Sequence, residues 1–383
     1  MSKFAFVEFG SNRIAFDSKI LLTIPNASLS GSERQLLILG NGLKKRGYEV
    51  AFCLLGGKGS IENEIIKINC KFYKFDGNKL YFKKLFFYYK IINLFKPDII
   101  ISFNWAANNY TRIIKILPAS NKFIHIAGER GRGLKDEKIK NFIDQLLHNF
   151  SNRIISNSLH QKEELIKYEK IKPSKIDVIL NGLKLNEEPL SGVQELRSDF
   201  LGNQFQTIIC TAVNFSEHKN IPLMLESLEL LFNKTDKILF LFLGDSRDKQ
   251  QYVDYVNDNA ILNKHIKFLG YLDNPLPIFL ASDLFLFTSI WEGMPNVLIE
   301  AMSCGLPIIT TPFGGSSELI KNNKNGFILN EFDKKEIVDL ILKVIDKNKT
   351  LKIIGRNALK VSQKFKIDNM VQSYINVIEE EKK

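Results

Sequence analysis

The stretch SIWEGMPNVLIEAMSCGLPIITTPFGGSSELI, from Ser289 to Ile320, is the most specific constellation in this chain. It follows a short apolar run, DLFLFT, that reads as a buried strand, and it contains a second such run, LPIITT. Between the two, Gly293 and Pro295 hold a tight loop, and Asn296 suits the N-cap of a helix running through Glu300 toward Cys304. Strand, helix and strand in that order form the unit of a parallel sheet with helical crossovers, so the fold class is α/β. The start of such a helix points backbone N–H groups outward, where an anionic diphosphate is a natural ligand. Seven residues separate Glu292, on the loop, from Glu300, on the helix. If Val297 and Ala301 face the sheet, Glu300 lies on the accessible side, where its carboxylate can accept two hydrogen bonds from a ribose diol. Either glutamate alone would pass for a solvated surface carboxylate, the fate of most glutamates.

The same alternation of strand-like runs and amphipathic helices extends along the chain. In the first half, KILLTIP from Lys19 to Pro25 reads as a buried strand. Ser32 to Arg46 follows as a helix, with Leu36, Leu39 and Leu43 on one face and Gly47 as its stop. EVAFCLL, DIIISF, KFIHIA, RIISNS and KIDVILNG continue the series of strands. A polar stretch containing Pro189, Gly192 and Gly202 then interrupts it. A second set of six short strands runs from Thr207 to Leu329: TIICTAV, KILFLFLGD, IKFLG, DLFLFTS, LPIITT and GFIL. A chain of 383 residues exceeds the roughly 250 to 300 residues that one core organises. The expected division is a first domain over 1–184, a linker over 185–206 and a second domain over 207–365. Residues 366–383 form a last helix placed to pack back across the junction.

Composition narrows the function classes. The hydrophobic share of 45% and charged share of 25% are those of a soluble globular protein, which excludes a fibrous or disordered chain. No apolar run reaches the ~18 to 20 residues of a membrane-spanning helix. The N-terminus, with Lys3, Glu8, Arg13 and Asp17, lacks the apolar core of a secretory signal, so a cytoplasmic location is expected. Cys53, Cys70, Cys210 and Cys304 form no C-x-x-C pair, and neither a D-x-D triplet nor a histidine pair at ligand spacing occurs. No metal and no cofactor is therefore expected. Lys and Arg exceed Asp and Glu by 53 to 42, a net charge of +11 that attracts phosphates, nucleic acid or anionic lipid.

The order of strand, E-G-x-P-N, E-A-x-x-x-G-x-P and then G-G with Glu318 three residues on resembles the retaining glycosyltransferases of the GT-B fold, group 1 and family four-like, which include sucrose synthase and many bacterial polysaccharide and lipopolysaccharide transferases. The likeness covers nearly the whole chain from Lys19 onward. It implies two Rossmann-like parallel-sheet domains facing an interdomain cleft, and a nucleotide diphosphate sugar, taken as UDP-linked, as donor. By resemblance Glu292 contacts the donor sugar hydroxyls, Glu300 the ribose, and the backbone of Gly293, Met294, Pro295 and Asn296 the sugar and phosphates. FLGYLD, ending at Asp273, looks like the base-binding strand and turn, which puts the main chain of Tyr271 and Leu272 on the nucleobase. NGL at Asn181 to Leu183 looks like the signature that closes the first domain.

AVNFSEHKNIPLMLES, from Ala212, resembles the phosphate-binding segment, in which an Arg and a Lys five residues later usually grip the diphosphate. Lys219 matches the Lys, but Asn214 stands where Arg is commonest. Either Lys219 with backbone amides suffices, or a basic residue from elsewhere substitutes, or binding is weaker. In the first domain, NASLSGSER puts Gly31 at the carboxyl end of a strand, where open α/β sheets bind ligands, and the resemblance to a G-G-x-E-R segment implies backbone approach to a phosphate. HIAGERGRG, from His125 to Gly133, offers either His125 or the pair Glu129 and Arg130 to the acceptor.

The segment from Lys71 to Lys96 interleaves aromatic rings with lysines, which suits either a membrane-surface helix or a helix that fills the core. The implied acceptor is a saccharide or lipid-linked saccharide, in assembly of a surface polysaccharide such as an O-antigen, with the enzyme on the inner face of the cytoplasmic membrane. Two other classes compete. One is a basic protein that binds nucleic acid or anionic lipid; dispersed charge and the lack of any nucleic-acid motif speak against nucleic acid. The other is an inert GT-B partner subunit, to which only Asn214 points.

Overall fold

The central apolar runs become strands buried on both faces, as parallel strands covered by helices require, while the edge strands are half-buried. The computed structural model describes residues 18–27, 31–57, 59–77, 81–117, 122–130, 138–185 and 190–383. It divides into two compact units, one of Met1–Gly182 with Lys366–Lys383, the other Leu183–Phe365.

In the first unit the strands are β1 Lys19–Ile24, β2 Glu49–Leu54, β3 Lys71–Lys74, β4 Ile99–Phe103, β5 Ile124–Glu129, β6 Arg153–Ser156 and β7 Ile176–Val178. They pair in parallel in the order β3-β2-β1-β4-β5-β6-β7. Alternation along each strand sorts the side chains. Ile20, Leu22, Ile99 and Ile101 join the core under helices Gly31–Lys45 and Ile367–Glu381, whereas Leu21, Ala51, Cys53 and Ile100 join Tyr88, Ile91 and Ile92 of helix Tyr81–Phe95. The chain order reverses between β1 and β4, the place where open α/β sheets leave a crevice at their carboxyl end.

The last helix completes this unit rather than decorating it. Its Met370, Val371, Tyr374, Ile375 and Ile378 belong to the core that also holds β1 and β4. A Cβ at Gly42 would lie 2.3 Å from Val371 Cγ2, so the helix seats only against a glycine.

The second unit contains β8 Thr207–Ala212, β9 Ile238–Leu243, β10 Ile266–Gly270, β11 Leu284–Phe287, β12 Ile308–Thr310 and β13 Phe327–Ile328. The parallel order is β10-β9-β8-β11-β12-β13, with its reversal between β8 and β11.

Three expectations need correction. The stretch 185–206 is not a bare linker: it contains helix Val193–Leu201, whose Arg197 donates to Asp283 Oδ2 at 2.9 Å and to the Ala281 carbonyl at 2.6 Å. These two hydrogen bonds, both within the second unit, fix a segment whose polar composition alone reads as loop. The aromatic segment is not one helix, because Lys71–Lys74 pairs with β2 as the edge strand of the first sheet and the helix begins at Tyr81. Asn296 is the first residue of its helix rather than the N-cap; Pro295 holds the cap position in an extended conformation and supplies no side-chain cap. Cys53 and Cys210 are buried, whereas Cys70 and Cys304 are half-buried.

Candidate active site

The reversal of strand order between β8 and β11 places the loops that follow these two strands side by side. The first carries Asn214 to Asn220, the second Thr288 to Pro295. Main-chain hydrogen bonds join them: Ile290 N–H donates to the His218 carbonyl at 2.8 Å, and Thr288 Oγ1 donates to the Lys219 carbonyl at 2.9 Å. Thr311 Oγ1 at the end of β12 braces the second loop through the Ser289 carbonyl at 2.6 Å. The ends of β8 and β9 are just as tightly set, since a Cβ at Gly244, φ +120°, would fall 1.9 Å from the Val213 carbonyl oxygen.

On this frame Lys219 and Glu292 form an ion pair, with both side chains largely shielded from solvent. The same Glu292 Oε1 accepts from Ser289 Oγ at 3.1 Å and lies 3.9 Å from His218 Nε2. The Lys219 ammonium also stands 5.2 Å from the centre of the Phe287 ring. His218 stacks on Trp291, ring centres 4.7 Å apart, and its Nδ1 lies 3.2 Å from Ser216 Oγ, which donates to Asn214 Oδ1 at 2.8 Å. Burial, and then the neighbouring Lys219, lower the pKa of His218, while Glu292 raises it.

Gly293, Met294 and Pro295 are buried, and a Cβ at Gly315 would sit 2.9 Å from the Gly293 carbonyl oxygen. The G-G turn thus presses on the loop that carries Glu292. Glu300 is half-buried on helix Asn296–Ser303, while Leu298, Ile299, Ala301 and Met302 face inward. Val297, expected to face the sheet, is itself half-buried. Tyr271 and Leu272 follow β10, with Gly270 in the left-handed region at φ +73° and the Tyr271 ring exposed. The structure brings Asn214, Lys219 and Glu292 into one network. Sequence reading missed His218, Ser289 and Trp291, although each lies within three residues of Lys219 or Glu292.

The remaining candidates lie in the first unit. Gly31 opens its helix, exposed; the loop residues 28–30 before it lie outside the described residues, as do Gly131 to Gly133. Asn104, after β4 and at φ 72°, donates to Ser32 Oγ at 3.1 Å, which ties the helix start to the reversal between β1 and β4. His125 is the second residue of β5 and fully buried, with Nε2 2.8 Å from Ser102 Oγ. Burial, reinforced by Arg112, lowers its pKa well below the usual imidazole value. A neutral imidazole held inside the sheet has no route to a reacting atom in this structure.

Glu129, at the carboxyl end of β5, is also buried; it accepts from Asn108 Nδ2 at 2.8 Å and lies 3.7 Å from Arg112 Nη2. Arg112 in turn donates to Asp144 Oδ1 at 2.6 Å, so Glu129 belongs to an interior charge network. Arg130 stacks on Phe103, its guanidinium carbon 4.0 Å from the ring centre, and donates to Asn181 Oδ1 at 2.9 Å and Tyr374 Oη at 2.7 Å.

Comparison with known proteins agrees with this architecture. The family model described as "Glycosyl transferases group 1" matches residues 193–361, and that described as "Glycosyltransferase Family 4" matches residues 29–187. Among curated relatives, the chain is 26% identical over 309 residues to a UDP-Gal:alpha-D-GlcNAc-diphosphoundecaprenol alpha-1,3-galactosyltransferase of Escherichia coli, covering 77% of this chain and 80% of that protein. It is 27% identical over 254 residues to the capsular polysaccharide biosynthesis glycosyltransferase CapM of Staphylococcus aureus, covering 61% of this chain and 65% of that protein. The crystal structure of Anabaena Alr3699/HepE in complex with UDP superposes with a TM-score of 0.84 at 19% identity, covering 94% of this chain and all of that one. With one model matched by each parallel-sheet unit, the chain belongs to the group 1 glycosyltransferases of the GT-B fold.

Proposed function

We propose that this protein is a retaining glycosyltransferase that moves a hexosyl or N-acetylhexosaminyl unit from a UDP-linked sugar to a saccharide or lipid-linked saccharide, in assembly of a surface polysaccharide. The observation that carries this reading is the meeting of Lys219 and Glu292 at the strand reversal of the second sheet. A cation there faces the departing diphosphate, and a carboxylate accepts hydrogen bonds from the donor sugar hydroxyls. In the reaction, the bond between anomeric carbon and diphosphate oxygen breaks and a bond to the acceptor oxygen forms from the same side. The acceptor proton passes to the departing phosphate. Charge grows on that phosphate, and Lys219 with the nearby helix N-termini stabilises it, the kind of preorganised electrostatic term that dominates many enzymes.

Glu300 holds the ribose, the main chain of Tyr271 and Leu272 the base, and the backbone of Gly293 to Asn296 the sugar and phosphates. Gly31 in the first unit lets its backbone approach a phosphate. The buried Glu129 acts by shaping the carboxyl end of β5, where the acceptor is read, whereas His125, near the amino end of that strand, supports the sheet from within. In this reading no divalent metal is required, since the sequence offers neither a D-x-D triplet nor a histidine pair at ligand spacing. The printed names of two similar proteins favour the donor and acceptor chosen, since the E. coli relative acts between UDP-Gal and a diphosphoundecaprenol-linked sugar and the Anabaena structure contains UDP.

A membrane setting is part of the proposal. Among the described residues no helix is long and apolar enough to cross a bilayer. Helix Lys138–Leu147 is instead inside out: Asn141 and Asp144 are buried, while Ile139, Phe142 and Leu146 are 79%, 59% and 60% exposed. Tyr81, Phe82 and Phe86 on helix Tyr81–Phe95 are likewise exposed, interleaved with Lys83, Lys84 and Lys90. Apolar side chains among lysines suit the surface of an anionic membrane.

The deciding experiment is a thermal-shift panel of UDP-, GDP- and ADP-sugars, followed by turnover with a lipid-linked saccharide in EDTA. A UDP-sugar is expected to raise the melting temperature, with turnover undiminished by the chelator. Stabilisation by none of these sugars refutes the donor reading. Turnover lost in EDTA and restored by Mn²⁺ or Mg²⁺ refutes the metal-free one.

A further inference from the structure

Asn214 leaves the donor site one positive charge short, and the structure holds a group able to make it up. Ser216 Oγ spends its proton on Asn214 Oδ1, so its contact with His218 at 3.2 Å is a hydrogen bond donated by Nδ1–H. The neutral ring then carries its proton on Nδ1 and turns the Nε2 lone pair toward Glu292 Oε1, 3.9 Å away. With Lys219 paired to Glu292 this arrangement is tolerable, because the lysine already neutralises the carboxylate. Trp291, stacked on the ring at 4.7 Å between centres, and the Ile290 N–H bond to the His218 carbonyl keep the imidazole in place. The charged groups that face the ring are Lys219 from its own turn and Glu292 from the loop after β11.

We infer that His218 is the reserve partner of Glu292: when Lys219 turns to the donor diphosphate, His218 takes a proton from solvent on Nε2 and holds the carboxylate in its place. This rests on the donor reading above. The diphosphate brings two negative charges to a site with one lysine, and departure of Lys219 leaves Glu292 uncompensated beside an unprotonated nitrogen. Both changes favour the imidazolium, which donates from both nitrogens, to Ser216 and to Glu292. His218 is thereby a positioning residue that supplies, only with donor bound, the charge that Asn214 lacks. The sign follows from linkage: a group whose pKa rises on binding makes binding tighter as pH falls from the bound toward the free value, by at most about tenfold per pH unit for one proton.

The test is calorimetry of UDP-glucose, whose diphosphate does not titrate near neutrality, in buffers of different ionisation enthalpy between pH 6 and 8. Wild-type protein is expected to take up a proton on binding and to gain several-fold in affinity from pH 8 to 6. H218Q is expected to bind with neither effect. Nitrogen-15 imidazole spectra of the wild type, with and without UDP-glucose, follow the same ring without any substitution and are expected to show its pKa rising in the complex. Binding without proton uptake, uptake undiminished in H218Q, or an unmoved ring pKa overturns the inference and leaves the donor reading standing. Absence of binding by UDP-glucose and by the other nucleotide sugars overturns both.

Discussion

Lys219 and Glu292 are paired with each other in this structure, although the proposed reaction uses them on different parts of the donor. Donor binding must therefore open the pair, and the two residues respond differently to substitution. Removal of Lys219 in K219A is expected to lower kcat by ~10²–10³, the usual loss for one preorganised charge-stabilising group. E292Q frees the lysine, so affinity for UDP is expected to hold or rise while transfer falls. Stopped-assay kinetics beside UDP calorimetry check both; parallel loss of UDP affinity and transfer in E292Q contradicts the assignment.

Glu300 sits on the helix that begins at Asn296, and its carboxylate is the proposed ribose partner. E300A is expected to weaken UDP binding by ~1.5–3 kcal/mol, the range for a hydrogen bond to a charged group. Unchanged calorimetric affinity rules the contact out.

The C-terminal helix holds the first unit through Tyr374, whose hydroxyl accepts from Arg130 at 2.7 Å while the ring stays fully buried. Y374F keeps the packing but leaves a buried guanidinium N–H unpaired, and it is expected to cost ~1–3 kcal/mol of stability. Urea unfolding followed in the full chain measures this, and a change within error means that water replaces the hydroxyl.

How far the sequence disclosed these features depends on how local each one is. The β9 run ILFLFL is buried at every position, so its apolar content alone marks a central parallel strand. Glu292 and Glu300 lie within one loop and helix, and their spacing is readable without the fold. The edge strand Lys71–Lys74 has no fully buried residue, and its aromatics merge with those of the following helix. Polar segment 185–206 hides a helix because the groups that fix Arg197 lie more than eighty residues further along, at Ala281 and Asp283. His218 escaped notice for the same reason: nothing near it in the chain announces that β8 and β11 are neighbours, and its contacts with Trp291 and Glu292 exist only through that pairing. His125 shows the converse, a titratable residue in a suggestive motif that the sheet encloses.

The exposed aromatic and aliphatic side chains of the first unit give the last prediction. Helices Tyr81–Phe95 and Lys138–Leu147 both touch helix Trp105–Ile116, and Lys140 Nζ lies 5.9 Å from the centre of the Trp105 ring. The three helices thus form one side of the first unit, and it carries Phe82 and Ile139 in the open. Partly buried in an acyl boundary, these side chains gain what they lose in water, and each nearby lysine adds about 1 kcal/mol against anionic headgroups. Wild-type protein is expected to sediment with vesicles containing phosphatidylglycerol at low ionic strength and to be released as salt shortens the Debye length. K83E with K84E is expected to abolish the salt-sensitive part, and I139N with F142N the remainder, with melting unaffected because all four side chains avoid the core; Lys79, in the same basic run, lies outside the described residues. Should wild-type protein ignore acidic vesicles at low salt, or both double variants bind them as well as wild type, the inside-out helix meets some other partner and the acceptor need not be membrane-bound.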